Sequence, residues 1–412
     1  MAGVLLLGNL RCSLTLAREM AAAGHEMHCG VDELSPYLFA SRAIGNAFQH
    51  ANPVAEPQRA LARIGAYLAA HPEVDTVMPI SEMTTRLIVR NSAMFAGRAR
   101  IAAVSEDVLE TCVDKEGMFQ LCERIGVPVA AREIAVDYAS LAAAVQRIGR
   151  PSIVKPVDSA EFLFGQKAVL LSAQDRFETK LPAWPAEHRS LCVQRYVGGT
   201  RHAVNFGAYE GALLGAADCA VLHTDRTDGT GYTTGIMSVP AQPEIAEATM
   251  RLLRALNYTG IGDIDFIHDE ATGELTFLEL NPRVGASYKA ASVAGVPLAR
   301  WAVQIAHGER PRALNPLWLH ANHGRVVWTK GAVSGLLRRR RAGELSRGAA
   351  FAEAMRIGAD ALRAHDMVFS WGDPAPALWD YLHPLLTRIG AHRAHVEPEQ
   401  DLAALTPALH AA

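Results

Sequence analysis

The sequence predicts an α/β chain with α+β elements in three parts. These are a small open α/β domain over residues 1–105, a larger mixed domain over 106–310, and a mostly helical extension over 311–412. Three observations predict it. Strand-like and helix-like patterns alternate through the first hundred residues, the signature of βαβ units. Two hairpin signals follow, about Glu210-Gly211 and across 269–273. A composition of 50% hydrophobic and 20% charged residues over 412 positions can bury sizeable cores and excludes disorder as the main state.

The elements follow in order. Val4-Leu-Leu-Leu-Gly8 reads as a buried strand, 12–23 as a helix ended by Gly24, and Glu26–Val31 as the next strand. Gly8-Asn9 lacks the full dinucleotide fingerprint and gives only a weak nucleotide signal. A helix over 59–70, a strand over Val74–Ile80 and a short strand at 101–104 complete the first part. Ser81 and Glu82 lie just past a strand's carboxyl end, where open α/β sheets bind ligands; a helix cap with a first-turn acid explains them equally well. Helices are predicted over 114–125, 139–149 and 244–256, and over 290–308 with a break near Gly295-Val-Pro297. Strands are predicted over Pro151–Pro156, Ala168–Ser172 and Leu191–Tyr196. The two hairpins pair Val204–Tyr209 with Ala212–Cys219, and Gly260–Ile267 with Glu274–Asn281. Thr227–Gly235 is too rich in Gly and Thr for a rigid element and is predicted to be a mobile loop.

The charge balance is −3, from 40 Lys plus Arg against 43 Asp plus Glu, which carries no nucleic-acid footprint. None of the 6 cysteines forms a CxxC pair, so they are expected to be reduced. No run reaches the ~18 apolar residues of a transmembrane helix, and Arg11 closes the first apolar run before a signal h-region is reached. Location is therefore expected to be cytoplasmic. Leu336-Leu337 precedes Arg338–Arg341, a basic run that reads first as a solvated helix face and second as a contact for an acidic partner or lipid. Trp371-Gly-Asp-Pro374 reads as a turn, with Trp371, Trp379 and Tyr381 available to pack it down.

The second hairpin carries the chemistry. Glu279 and Asn281 share one strand face, with Leu278 and Leu280 turned to the core. Asp265 on the partner strand is expected near the level of Thr276 to Glu279. Two carboxylates and an amide oxygen make a hard-cation site suited to Mg²⁺ with substrate phosphates. Arg283 follows and suits bidentate contact with phosphate. Lys115 opens a helix, where a cation opposes the macrodipole, and Lys155 ends an apolar strand. Both placements make sense if each lysine faces a phosphate; two surface lysines are the bland alternative. Val193-Gln194-Arg195-Tyr196-Val197-Gly198-Gly199 runs from an apolar strand into a Gly pair. Such a segment can offer backbone groups to a purine edge, with Tyr196 and Val197 as walls.

In this order the motifs resemble the ATP-grasp superfamily over roughly Val104–Gly308, with the first part similar to its usual preceding domain. The stretch Val154-Lys155-Pro156-Val-Asp-Ser-Ala160 looks most like the carboxylate–amine (amino-acid) ligase branch. The resemblance implies a lid at roughly 155–200. Lys115 and Lys155 would contact ATP phosphates, and Gln194, Tyr196 and Val197 would line the adenine hinge. Asp265, Glu279 and Asn281 would hold one or two Mg²⁺ ions, with Mn²⁺ as a substitute. Arg283 would face the transferred phosphoryl group, and His202 and Arg226 would reach ribose or substrate. Implied partners are a small-molecule carboxylate and an amine, and a homodimer is compatible with this reading. The sequence departs from the family at Glu161–Lys167, where Phe162 and Phe164 replace expected glycines. Thr200-Arg201-His202 likewise replaces an acidic residue. Two rival readings follow: bicarbonate activation of the carbamoyl-phosphate-synthase or carboxylase kind, and an ATP-sensing or scaffold role without turnover.

Overall fold

The computed structural model describes residues 3–386, apart from 33–35, 158–160 and 323. Asp158, Ser159 and Ala160 of the family-like stretch lie outside the described residues, as do 387–412 of the extension.

The first part contains β1 (Gly3–Leu7), α1 (Arg11–Ala22), β2 (Glu26–Val31), α2 (Pro36–Phe39), β3 (Asn46–Gln49), α3 (Pro57–Ala70), β4 (Val74–Pro79), α4 (Glu82–Arg90) and β5 (Arg100–Ile101). Its five strands are parallel, in the order β3-β2-β1-β4-β5. Leu5, Leu7, Phe48, Leu61, Ile64 and Tyr67 fill one face, while Val4, Leu6 and Met78 turn to the other. That two-sided burial is why these strands read as continuous apolar runs.

Next come α5 (Glu106–Val113), α6 (Lys115–Arg124), β6 (Arg132–Ala135), α7 (Tyr138–Ile148), β7 (Ser152–Pro156), β8 (Val169–Leu171), α8 (Phe177–Lys180) and β9 (Leu191–Arg195). The small sheet they form has the order β6-β9-β7-β8. It therefore begins well before residue 155, because β6 and α7 pack into the same body as β7 and β9.

The chain then crosses from β9 to a seven-stranded sheet of order β14-β13-β10-β11-β12-β15-β16. Its strands are β10 (Thr200–Tyr209), β11 (Ala212–Thr224), β12 (Thr233–Val239), β13 (Gly260–Asp269), β14 (Glu274–Asn281), β15 (Arg325–Val327) and β16 (His365–Asp366). The helices are α9 (Pro243–Ala255), α10 (Tyr288–Val293), α11 (Leu298–Ala306), α12 (Thr329–Arg341), α13 (Arg347–Arg363) and α14 (Ala375–Leu386). Both expected hairpins form, and both run longer than expected at their first strand. Thr233, Thr234 and Gly235, placed in the loop by composition, already belong to β12. Pairing with β11 and β15 overrides their composition.

Two expectations for the tail change. It is helical in the main, but β15 and β16 extend the large sheet, and the stretch from Leu314 to Leu319 bonds along β11. Trp371 is 90% exposed and does not pin the turn. Asp373 does: it accepts from Arg18 and Ser41 in the first part. The basic run is also partly spoken for. Arg338 is bonded to Asp225 and the buried Arg339 to Glu353, which leaves Arg340 and Arg341 exposed and weakens the acidic-partner reading.

Trp301 of α11 packs against Gly207 and Gly215, so the helix docks closely on the sheet. A Cβ at Gly207 would stand 2.4 Å from Trp301 Cε3. Gly207→Ala should therefore cost about 1–3 kcal/mol through overpacking, read as a lower midpoint in urea unfolding at unchanged slope.

Candidate functional site

Register builds the carboxylate cluster. On β13 and β14, Asp265 stands opposite Glu279 and Asp263 opposite Asn281. All four side chains therefore share one sheet face. A bulge between Asp265 and Phe266 shifts the pairing, so that Phe266 meets Phe277 and Leu278 is the extra residue. Leu280 is buried in the core as expected, whereas Leu278 is only half-buried. Asp263 is a third carboxylate that the expected set lacked. Its signal was present in the Asp263-Ile264-Asp265 alternation.

Hydrogen bonds order the rim. Asn281 Nδ2 donates to Glu279 Oε1 at 3.3 Å. Arg283 Nη2 donates to Asn281 Oδ1 at 3.2 Å and Nη1 to the Val284 carbonyl at 2.9 Å. Its Nε–H, like Asp263 Oδ1, is buried without a protein partner. Arg201, on the same face of β10, lowers the pKa of both aspartates and donates to Thr233 Oγ1.

The small sheet and α6 supply the cations. Asp114 caps α6 by accepting from Gly117 N–H at 3.1 Å, which puts Lys115 at the first helical position. Lys115 Nζ donates to the Pro156 carbonyl at 3.2 Å, and Lys155 Nζ to Gln194 Oε1 at 2.9 Å. Gln194 Nε2 is buried and unbonded. Lys167, which the expected set also lacked, joins the two lysines in acting on Glu279.

The electrostatics follow from burial and neighbours. Burial pushes Asp265 up to about 6, helped by Glu279 and opposed by Arg201 and Arg283. Burial, then Asp265, holds Asp263 well above the usual carboxylate range. Burial also pushes Glu279 upward, but Lys115, Lys167, Asn281 and Lys155 together bring it below its ordinary value. Burial and Lys155 bring Lys115 down to about 8, against the pull of Glu279 and Glu82. Four acceptors with oxygen atoms only, one of them an orphaned buried carboxylate oxygen, fit a hard cation such as Mg²⁺.

The remaining expected residues fall in different places. His202 is a correction. It alternates with Ala203, so it lies with Val204 and Phe206 on the face away from Asp265, bonded through Nδ1 to Asp218 at 2.7 Å. Tyr196 N–H is taken by the Pro151 carbonyl at 3.1 Å, and both Tyr196 and Val197 are half-buried. Val197 lines a groove with Arg195, Glu247, Arg251 and Thr276 that contains neither the lysines nor the carboxylates. Ser81 Oγ accepts from Thr84 N–H at 3.1 Å, so the cap reading of Ser81 is realised. Arg226 donates to Gln166 Oε1 at 2.8 Å and ties the 227–232 loop to the 161–167 loop. In the latter, Phe164 and Gly165 form a tight turn at φ 50° and 72° anchored by the buried Leu163, which is how the loop folds without the expected glycines.

This arrangement, with carboxylates on the large sheet, Lys155 on the small sheet and Lys115 at the start of α6, is that of an ATP-grasp fold. Residues 236–314, which include all four cluster residues and Arg283, match the family model described as carbamoyl-phosphate synthase L chain, ATP binding domain. The carbamoyl phosphate synthase large chain, N-terminal section, of Methanopyrus kandleri is 28% identical over 223 residues, covering 51% of this chain and 38% of that one. The arginine-specific large chain of Bacillus subtilis is 25% identical, over 54% of this chain and 21% of its own length. The chain thus spans well under half of these curated relatives. Among solved structures, biotin carboxylase from Campylobacter jejuni superposes with a TM-score of 0.60 at 17% identity, covering 79% of this chain and 74% of that one. An L-amino acid ligase from Bacillus licheniformis gives 0.55 at 14% identity, covering 74% of each. By fold, the chain resembles these ATP-grasp structures.

Proposed function

We propose that this chain is an ATP-dependent carboxylate–amine ligase, releasing ADP and phosphate. The observation that carries the reading is the convergence of Asp263, Asp265, Glu279, Asn281 and Arg283 with Lys155 of the small sheet and Lys115 of α6. Phosphoryl transfer needs alignment and charge neutralisation more than covalent help. Asp265, Glu279 and Asn281, with Asp263 beside them, would hold Mg²⁺, which supplies charge neutralisation for the phosphate oxygens. Lys115 and Lys155 bind the phosphates of ATP. The substrate carboxylate attacks the γ-phosphorus, giving an acyl phosphate and ADP; the amine then displaces phosphate and leaves an amide. Arg283 orients the transferred phosphoryl group through its free Nε–H. The tied 161–167 and 227–232 loops keep water from the acyl phosphate. Gln194 stands at the hinge, where its unbonded amide is a donor for the purine.

A second reading rests on a specific finding. The curated relatives include carbamoyl phosphate synthases and carboxylases, and the superposed structures include biotin carboxylases, one of them with bicarbonate, which favours bicarbonate as the activated acid. ADP release measured with Mg²⁺ and a panel of amino acids, small acids and bicarbonate separates the two. Turnover that needs an organic acid supports the first, and turnover with bicarbonate alone supports the second.

Lys115 makes a pH prediction. Its ammonium titrates near 8 in the free chain, and a phosphate beside it raises that value. Binding ATP above pH 8 should therefore take up a proton, and affinity should fall as pH rises further. Calorimetry in buffers of different ionisation enthalpy reads the uptake. Lys115→Met should abolish it and weaken ATP binding about tenfold or more.

A further inference from the structure

We propose that the first domain carries a second cation site, for a zinc-class transition metal, formed by His28, His71 and Glu73 with Glu26 beside them. It sits at the amino ends of β2 and β4, whereas Gly8, Ser81 and the carboxylate cluster lie toward the carboxyl ends. His28 is on β2, His71 closes α3, and Glu73 leads into β4.

The observation that points to a ligand is His28. Its residue is fully buried, and its Nε2 has no hydrogen-bond partner. Its Nδ1 lies 2.9 Å from Tyr67 Oη. Tyr67 is itself fixed by stacking on Phe48 at 3.9 Å between centroids. With Nδ1–H donating to that hydroxyl, the lone pair of Nε2 is aimed at Glu26 and Glu73, 3.6 and 3.8 Å away. An outer partner on the second ring nitrogen is the usual companion of a metal-bound imidazole.

The other donors are in place. His71 Nδ1 is 2.9 Å from Glu73 Oε1, and the donor atoms of His28, His71 and Glu73 all lie within 4.8 Å of one another. Tetrahedral zinc with bonds of ~2.0–2.1 Å separates its ligand atoms by roughly 3.3 Å. Small side-chain rotations therefore suffice. Two imidazoles and one carboxylate suit zinc rather than magnesium, which prefers oxygen donors. Glu26 or a water would complete the shell. The ion would clip the first strands to the end of α3.

The test uses the full chain, stripped with EDTA and dialysed against micromolar free Zn²⁺ with millimolar Mg²⁺ to occupy the oxygen cluster. The proposal expects one zinc retained per chain and a higher Tm with zinc present. His71→Ala and Glu73→Ala, both at the rim, should each lose that zinc and the Tm response while keeping the wild-type far-UV spectrum. Co²⁺ in place of zinc should give the visible bands of a four-coordinate ion in the wild type only. Zinc content unchanged by either variant, or no zinc retained by the wild type, overturns the proposal. His28→Gln adds a check on the buried ligand; if it fails to fold, the rim variants decide.

Discussion

Glu279→Gln should lower ATP turnover by about 10²–10³-fold, the effect of removing one preorganised charge from a water-poor site. Glu279 is the cluster member that stays ionised by itself, because Lys115, Lys167 and Lys155 outweigh its burial. Asp265, by contrast, is held higher, at about 6, by its burial and by Glu279. Removing the Glu279 charge would deprive the proposed cation site of its most readily ionised carboxylate and leave the lysines with less to balance them. The glutamine is nearly isosteric and still accepts from Asn281, so the fold should survive. ADP release at saturating ATP and Mg²⁺ is the measurement. A kcat within threefold of wild type would remove Glu279 from the cation site.

Arg283→Lys should be nearly as damaging, with a loss of about 10² in kcat, despite keeping the charge. Two of the guanidinium nitrogens are committed to Asn281 and Val284, and the third is the buried Nε–H left for substrate. A lysine offers one point charge on a flexible stem and cannot hold both rim contacts and a phosphate oxygen. The loss should fall on kcat rather than on ATP affinity if, as proposed, the group acts on the transferred phosphoryl. A lysine variant with normal kcat and weakened ATP binding would make Arg283 a plain phosphate clamp.

Much of this architecture was legible in the residues, and the exceptions have physical reasons. The β13–β14 hairpin announced itself through alternation about Asp269–Gly273, and its carboxylate face followed from period two alone. The bulge at Leu278 did not, because a one-residue insertion into a ladder leaves no compositional trace; it decides that Glu279, and not Leu278, meets Asp265. His202 was misplaced because its face depends on the register of β10 against β13, which only pairing fixes. Its neighbour Arg201 takes the position facing the aspartates. β12 hid in a Gly- and Thr-rich stretch because its stability comes from two neighbouring strands rather than from propensity. Lys167 lay in a loop whose fold rests on the buried Leu163, a contact with no local signature.

The central claim is chemical, and one assay reaches it. Purified chain with ATP and Mg²⁺ is incubated with individual amino acids and small acids in the presence of hydroxylamine, and ADP and hydroxamate are measured together. The account predicts ADP release that depends on one class of organic acid and is matched by hydroxamate, because hydroxylamine intercepts the acyl phosphate. ATP bound but not turned over under every condition, with Glu279→Ala changing binding alone, would contradict it and leave a nucleotide-sensing role for the same site.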